Sequence, residues 1–175
     1  MVVFFFLIIL FFSACRIDLD MEQLETFHTI EKWDGSIFYF NLKGRNFYFD
    51  SIPQYSLNDT IPFELFNKSF IRKGFIRIEL ETYAVNTLSS SFQLKIYYLK
   101  DAFPLDTLVM DIPSGSVMYP QEIHLFKTKD NSSLPPFTDF NHIAVQLMRQ
   151  DTTDIRNAPG KLTLGVNFNL YLQIE

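Results

Sequence analysis

The chain has 175 residues, of which 47% are hydrophobic and 17% aromatic, so it has enough apolar side chains for one packed core and lacks the composition of a disordered protein. Its 15 basic residues are scattered and outnumbered by 20 acidic residues, which argues against nucleic-acid binding. The single cysteine excludes an intramolecular disulfide and any site built from several thiolates.

The chain opens with an uninterrupted apolar segment, MVVFFFLIILFF, over residues 1–12. Ser13, Ala14 and Cys15 follow it, and the sequence then turns polar and acidic. As an α-helix, the stretch ending at the cysteine would be about 22 Å long, short of the roughly 30 Å hydrocarbon core of a bilayer. Its length is typical of the apolar region of a secretory signal peptide. The alternative is a buried N-terminal strand with a cysteine in the core.

Residues 12–15, Phe-Ser-Ala-Cys, resemble the lipobox of bacterial lipoprotein precursors, in which a bulky apolar residue and two small residues precede the lipidated cysteine. The resemblance implies a cleaved signal peptide over residues 1–14 and a diacylglycerol thioether, usually with an N-acyl chain, on Cys15. It also implies a tether over residues 15–32. A cysteine carrying two or more acyl chains is a stable membrane anchor. The protein would then be an outer-membrane lipoprotein of the bacterial cell envelope, facing either the periplasm or the outside.

From Trp33 onward, apolar and polar residues alternate, which is the pattern of half-buried strands. The clearest strand lies at the C-terminal end, where one face consists of Leu162, Leu164, Val166, Phe168, Leu170, Leu172 and Ile174. Less regular alternation predicts further strands over residues 37–42, 47–50, 76–83, 92–98, 105–112, 122–128 and 143–148.

Turn-forming residues, such as the Asn58-Asp59 pair, separate these segments at short intervals. About eight short strands with frequent turns predict an all-β fold, a single antiparallel β-sandwich that is Ig-like or jelly-roll-like, over residues 33–175. No ten-residue window beyond residue 32 shows helical periodicity. Residues 21–30 alone could supply one short helix.

The sequence contains no recognisable catalytic motif: no Gly-x-Ser-x-Gly elbow, no His-Glu-x-x-His pair and no glycine-rich phosphate loop. It therefore predicts a protein that is not an enzyme and uses no cofactor or metal. Glu122 and His124 share a face of a predicted strand, but an exposed pair of this kind is usually idle. Glu79 and Glu81 alternate with Arg77 and predict a solvated row of charges. Paired carboxylates for glycoside hydrolysis are set by the fold and cannot be identified from spacing.

Aromatic residues allow two interpretations. Trp33 and the runs IFYF (37–40) and FYF (47–49) could present exposed rings that stack on sugars. The alternative is that they belong to the core, because the chain has 20 phenylalanines and strands favour aromatic residues. The second interpretation is the preferred one.

Four triplets consist of aspartate, then serine or threonine, then a residue that bears a methyl group. They resemble the O-glycosylation motif of exported proteins in Bacteroidota, and the resemblance implies sugars on four hydroxyl groups, those of Ser51, Thr60, Thr107 and Thr152. The alternative is that these Asp-Ser and Asp-Thr pairs only favour turns. Together with the lipobox, the triplets make the chain similar to Bacteroidota-type envelope lipoproteins.

Three functions remain open on this evidence. The leading hypothesis is a membrane-anchored lipoprotein whose domain acts by binding or assembly without catalysis; the membrane is one partner, through the lipid, and an envelope protein is the expected second one. The second is a periplasmic carrier of a lipid or another apolar ligand, because one-sided strands can curl around such a ligand. The third is a glycan-binding or glycan-hydrolysing module at the surface.

Overall fold

The computed structural model describes residues 29–132 and 137–174. The signal peptide predicted over residues 1–14 and the lipidation site Cys15 lie outside the described residues, as does most of the helix predicted over residues 21–30. Within the described ranges, no helix has the length and apolar character needed to cross a membrane.

The described part of the chain is built almost entirely from strands. In chain order these are β1 (Thr29–Lys43), β2 (Tyr48–Phe49), β3 (Ile52–Pro53), β4 (Ser56–Pro62), β5 (Phe75–Asn86), β6 (Phe92–Lys100), β7 (Phe103–Ile112), β8 (Gln121–Asp130), β9 (His142–Arg149) and β10 (Lys161–Ile174). One short helix, α1 (Ser69–Gly74), precedes β5. Single 3-10 turns lie at Gly44–Phe47, Leu65–Asn67 and Phe137–Asp139.

The longer strands form two four-stranded sheets. Sheet I has the order β1-β10-β5-β8, sheet II has the order β4-β9-β6-β7, and β2 and β3 form a separate small ladder. The pairings of β5 with β10 and β8, and of β9 with β4 and β6, are antiparallel. This strand order is that of a jelly roll, a two-sheet sandwich made of two Greek keys. The predicted all-β sandwich is therefore confirmed, and its order is jelly-roll-like.

The core lies between the two sheets, because alternate residues of the long strands are buried. Examples are Leu80 in β5, Leu164 in β10 and Ile96 in β6, each almost completely removed from solvent. Full burial of such a side chain contributes roughly 1.5–3 kcal/mol. The residues between these buried positions point to the opposite face of each sheet.

Packed aromatic rings fill one end of the sandwich. Phe63 stacks on Phe140 with ring centroids 4.6 Å apart, and Phe66 meets Phe140 edge-on at 5.5 Å. Tyr98 and Phe137 add a further edge contact at 5.1 Å. Pairs in these geometries stabilise a core beyond the area that they bury. These aromatic residues form core, whereas the runs 37–40 and 47–49 are divided, with Phe38 and Phe47 buried and Tyr39 and Phe49 exposed.

Besides α1, which was not predicted, two segments differ from the sequence prediction. β1 begins at Thr29, so residues 29–32 of the predicted tether belong to a strand. The Asn58-Asp59 pair, predicted to form a turn, lies inside β4 and pairs with β9. β4 is an edge strand whose residues around this pair are exposed, so it lacks the apolar alternation by which strands are predicted.

Candidate functional site

A groove of about 660 Å³ crosses the outer face of sheet I. Each strand contributes a pair of alternating residues to its lining: Lys32 and Asp34 from β1, Asn167 and Asn169 from β10, Glu79 and Glu81 from β5, and Phe126 and Thr128 from β8. Core residues alternate with the lining residues in β5 and β10, which places the groove on the face away from the core.

Strand register arranges the groove side chains in two parallel rows. In the first row, Glu81 lies opposite Asn167 of β10 and opposite Phe126 of β8. The second row consists of Thr128, Glu79 and Asn169. Directly opposed residues of antiparallel strands have Cβ atoms roughly 4.5–5.5 Å apart. Each row is therefore a strip of neighbouring groups that crosses three strands.

Glu79 is held by two neighbours on the same face. The Tyr171 hydroxyl donates a hydrogen bond of 3.0 Å to Glu79 Oε2, and the Arg77 guanidinium lies 3.3 Å from Glu79 Oε1. Arg77 also lies over the Tyr171 ring, 4.1 Å from its centroid. These contacts fix the carboxylate at one position in the groove. The residue is therefore part of a network rather than of a simple solvated row.

Glu81 is joined to an imidazole from the next strand. Glu81 Oε1 lies 2.9 Å from His124 Nδ1. The His124 ring is nearly parallel to the rings of Tyr83 and Phe126, with interplanar angles of 24° and 17°. Three rings of similar orientation therefore lie side by side on the outer face of sheet I, and Phe126 is the one of them that lines the groove. Phe126 at their end is 76% exposed.

Gly165 is the residue that lets the Tyr83 ring lie flat on the sheet. A Cβ atom at this position would approach the Tyr83 ring atoms to 2.6 Å, closer than a real contact. Because Gly165 lies directly opposite Tyr83 in the neighbouring strand, any larger residue would push the ring outward.

Several polar groups in the groove have unused hydrogen-bonding capacity. The Asn167 and Asn169 amides and the Thr128 hydroxyl make no side-chain hydrogen bond to any described residue, and neither does Glu81 Oε2. An amide offers donors and an acceptor, a hydroxyl offers both, and a carboxylate only accepts. The groove can therefore bind a ligand that carries both donors and acceptors.

Glu122 and His124 share the exposed face of β8, as predicted. His124 pairs with Glu81, which lies 43 positions away in the sequence, while Glu122 remains exposed. Across the described ranges, no three or more His, Cys, Asp or Glu side chains are grouped so that they could hold a metal ion. The neighbour of His124 could not be found from spacing, because it lies on another strand.

The four predicted O-glycosylation residues are all exposed and lie apart from one another. Ser51 is in the turn between β2 and β3, Thr60 in β4, Thr107 in β7 and Thr152 after β9. In two triplets the aspartate accepts a 2.8 Å hydrogen bond from the backbone N–H of the following threonine. The four hydroxyl groups make no hydrogen bond to a described residue, so they are accessible, but none of them lines the groove.

Trp33 lies beside the groove but does not line it. Its ring contacts Phe70 of α1 with centroids 5.8 Å apart, and its Nε1 donates a 3.2 Å hydrogen bond to Glu31. The two aromatic runs are divided by strand alternation: Phe38 is buried, whereas its neighbour Tyr39 is exposed. The only ring that the groove presents from β8 is Phe126, which was not among the predicted stacking residues.

An ion cluster connects the sheets next to the groove. Asp106 of β7 lies 2.7 Å from Lys127 Nζ and 2.9 Å from Lys129 Nζ of β8. Partial burial alone would raise the pKa of Asp106, but hydrogen bonds from the two lysines and from the Thr107 backbone hold it below its usual value. The cluster therefore ties the edge strands of the two sheets together.

A small apolar slot lies between the edge strands β1 and β4. It has a volume of about 90 Å³ and is lined mainly by Phe40, Leu42, Leu57, Val145, Leu147 and Leu164. Ligand pockets in proteins are typically about 300–1,000 Å³. The slot is therefore too small to hold an acyl chain.

Comparisons with known proteins show only distant structural likeness. No family model matches the chain, and no curated protein matches it. Desmodium yellow mottle tymovirus is similar at 11% identity and a TM-score of 0.37, over 85% of this chain and 90% of that one. Dimeric latent PorU from Porphyromonas gingivalis is similar at 10% identity and a TM-score of 0.37, over 85% of this chain and 13% of that one.

A further structure, the enzymatically active domain of tailspike protein 4 from bacteriophage CBA120, is similar at 12% identity and a TM-score of 0.38, over 83% of this chain and 19% of that one. Likeness at this level carries no argument about function. The jelly-roll assignment rests on the strand order alone.

Proposed function

We propose that the protein is a lipid-anchored lipoprotein of the bacterial outer membrane whose jelly-roll domain binds a ligand, without catalysis, in the groove of sheet I. The observation that carries the proposal is the pair of rows in the groove, in which the Asn167 and Asn169 amides lie beside fixed carboxylates and have no partner among the described residues. The anchor is inferred from the sequence around Cys15.

The hydrogen bonds of the groove favour binding over nucleophilic catalysis. A nucleophile needs a hydroxyl or thiol within hydrogen-bond reach of a base. Of the histidines that the structure describes, His124 contacts Glu81 and His142 contacts Asn141, and neither contacts a hydroxyl. The groove hydroxyl that contacts a carboxylate is that of Tyr171, which donates a 3.0 Å hydrogen bond to Glu79, so the described histidines activate no hydroxyl there.

The lipid-carrier hypothesis has less support. A carrier needs an apolar cavity of the size of its cargo, and the apolar slot between β1 and β4 is only about 90 Å³. The space between the sheets is taken by buried side chains such as Leu80, Leu94 and Leu164.

The lipid anchor is tested by the intact mass of the protein and by its distribution between membrane and soluble fractions. Intact-mass analysis of the protein from its native membrane should give a mature N-terminus at Cys15 with acyl additions, and Cys15→Ala should move the protein to the soluble fraction. An unprocessed chain that begins at Met1, or unchanged membrane retention of the variant, would refute the anchor.

Binding is tested with the soluble Cys15→Ala chain on envelopes isolated from the source cells. Binding should be saturable, and the double variant Asn167→Ala/Asn169→Ala should lose at least tenfold in affinity. The matched control is Gln93→Ala/Gln146→Ala, which removes two amides from the outer face of sheet II. Equal losses in both double variants would refute the assignment of the groove.

A further inference from the structure

We infer that the ligand of the groove is a neutral glycan chain. This inference rests on the proposed function, because it assigns a ligand class to the same groove. Three features of the described residues carry it: the mixture of hydrogen-bonding groups, the row of parallel rings and the nearly balanced charge.

The hydrogen-bonding groups match the chemistry of sugar hydroxyls. Each hydroxyl of a sugar both donates and accepts, so it is best satisfied between an acceptor and a group that can do both. In the first row, Glu81 with its unpaired Oε2 lies directly opposite the Asn167 amide. In the second, Glu79 lies between Thr128 and Asn169. Neighbouring hydroxyls on one sugar ring can bridge such pairs.

The aromatic row supplies the apolar contact that a pyranose ring needs. The faces of a pyranose consist of C–H groups, while its hydroxyls project from the rim, so it packs on a flat ring and bonds to polar groups at the side. Tyr83, His124 and Phe126 are nearly parallel; Phe126 belongs to the first row, and Tyr83 and His124 lie opposite each other beside it. A single large exposed ring, that of Phe126, stands beside Glu81 in the register. An apolar ring therefore lies next to a hydrogen-bond acceptor.

The charges in the groove disfavour ionic ligands. Arg77 pairs with Glu79 at 3.3 Å, and Lys32 and Asp34 bring one charge of each sign. Glu81 contacts the His124 imidazole at 2.9 Å, and Lys127 of the lining is paired with Asp106 at 2.7 Å. A polyanion would meet carboxylates, and a polycation would find few charges left unpaired. A neutral chain meets neither penalty.

The shape of the groove suits an extended chain. It crosses four strands, which at a spacing of about 4.8 Å corresponds to roughly 14 Å between the outer two. The groove is bounded by side chains of all four strands. A linear oligosaccharide laid across the strands would therefore contact both rows.

The test is calorimetric titration of the full-length protein in detergent with defined probes. The probes are the neutral cellohexaose, xylohexaose and mannohexaose, the anionic hexagalacturonate and the cationic hexalysine. We expect at least one neutral hexasaccharide to bind. We also expect Asn167→Ala/Asn169→Ala and Phe126→Ala each to weaken that binding at least tenfold, while Gln93→Ala/Gln146→Ala leaves it unchanged.

The possible results distinguish an error in the ligand class from an error in the location of the binding site. Failure of all three neutral hexasaccharides to bind would overturn the inference, as would tighter binding of hexagalacturonate. If hexalysine alone binds and the groove variants abolish that binding, the glycan class is wrong while the proposed role of the groove stands. If a neutral hexasaccharide binds equally well to the groove variants, the groove itself is not the site and the proposed function falls.

Discussion

Replacing Asp151 by asparagine tests how the loop after β9 is held against the rest of the sandwich. Arg149 at the end of β9 is buried, with its guanidinium 3.6 Å from Asp151 Oδ1. Asp151 accepts hydrogen bonds from the Ser91 backbone (2.7 Å), the Ser90 hydroxyl (2.7 Å), the Ser91 hydroxyl (3.2 Å) and the Thr153 backbone (3.1 Å). One carboxylate therefore joins the β9–β10 loop to the β5–β6 loop.

The pKa of Asp151 gives the size of the expected loss in the free energy of unfolding. Partial burial alone would raise this pKa, but hydrogen bonds from the Ser91 backbone, the Ser90 hydroxyl and the Thr153 backbone lower it to about 2. Since one pH unit of pKa difference corresponds to about 1.4 kcal/mol, the ionised form is stabilised by about 2.5 kcal/mol. The side chain is 29% exposed and screened by water, so we expect Asp151→Asn to cost about 2 kcal/mol.

The geometry of an asparagine side chain at position 151 also predicts a loss of stability. The two carboxylate oxygens each accept a backbone N–H, one from Ser91 and one from Thr153. Asparagine has only one acceptor oxygen, so either orientation of the amide brings its NH₂ against a backbone N–H donor. An unsatisfied buried donor costs about 1–3 kcal/mol, and because the Ser91 N–H is partly buried and the Thr153 N–H is exposed, the loss should not exceed the middle of this range.

The loss should depend on pH in a defined direction. The folded state binds a proton at Asp151 less tightly than the unfolded state, whose aspartate pKa is about 3.9. The stabilisation is therefore complete above about pH 5 and is lost as the pH falls from about 4 to 2. Asp106 and Asp139, whose pKa values are also lowered, titrate in both proteins and cancel in the comparison.

Urea unfolding of the wild-type and Asp151→Asn chains at pH 6 and at pH 2.5 measures this difference. At pH 6 the variant should unfold at lower urea with an unchanged slope, and at pH 2.5, where Asp151 is still mostly ionised in the folded state, the difference in stability should have fallen to about a third. A difference below about 0.5 kcal/mol at pH 6, or an equal difference at both pH values, would refute the reasoning.

Four further substitutions have expected outcomes. Tyr98→Phe should leave the stability unchanged or raise it by up to about 1 kcal/mol in thermal melts, because the buried Tyr98 hydroxyl has no hydrogen-bond partner among the described residues. Tyr48→Phe should instead lower the stability by about 1 kcal/mol, because it removes two hydrogen bonds of the Tyr48 hydroxyl, of 2.7 and 3.1 Å. Gly115→Ala should destabilise by about 3 kcal/mol in urea titrations, since its Cβ would lie 2.0 Å from the Asn86 carbonyl oxygen; a loss below about 1 kcal/mol would contradict the contact. Phe126→Ala should change the melting temperature little, because the ring is 76% exposed; a large fall would mean that the ring supports the fold.

The strand content could be predicted wherever one face of a strand is buried. β10 was predicted from its seven alternating apolar residues, and five of them, including Leu164 and Leu170, are buried in the sandwich. β4 could not be predicted, because it lies at an exposed sheet edge and its residues Asn58 and Asp59 do not alternate with apolar residues. The six residues of α1 are too few to show a helical period.

The groove could not be predicted, although its residues are visible in the sequence. The alternation of β5 already placed Glu79 and Glu81 on a polar face. Their neighbours Asn167 and Asn169 come from a strand more than 80 positions later, and only the antiparallel register brings them opposite. Local patterns report which face of a strand is polar, whereas the partner of that face is set by the topology of the jelly roll.

The central position of β10 in sheet I also decides when this sheet can form. β10 is the last of the described strands in chain order, yet it lies between β1 and β5, and the Ser36 hydroxyl of β1 donates a 3.4 Å hydrogen bond to the Val166 carbonyl of β10. During synthesis, β1 and β5 are complete long before β10. The edges of β1 and β5 that pair with β10 therefore have no partner until β10 has been synthesised. Such non-local pairing folds slowly. Sheet I therefore cannot close until β10 has been synthesised.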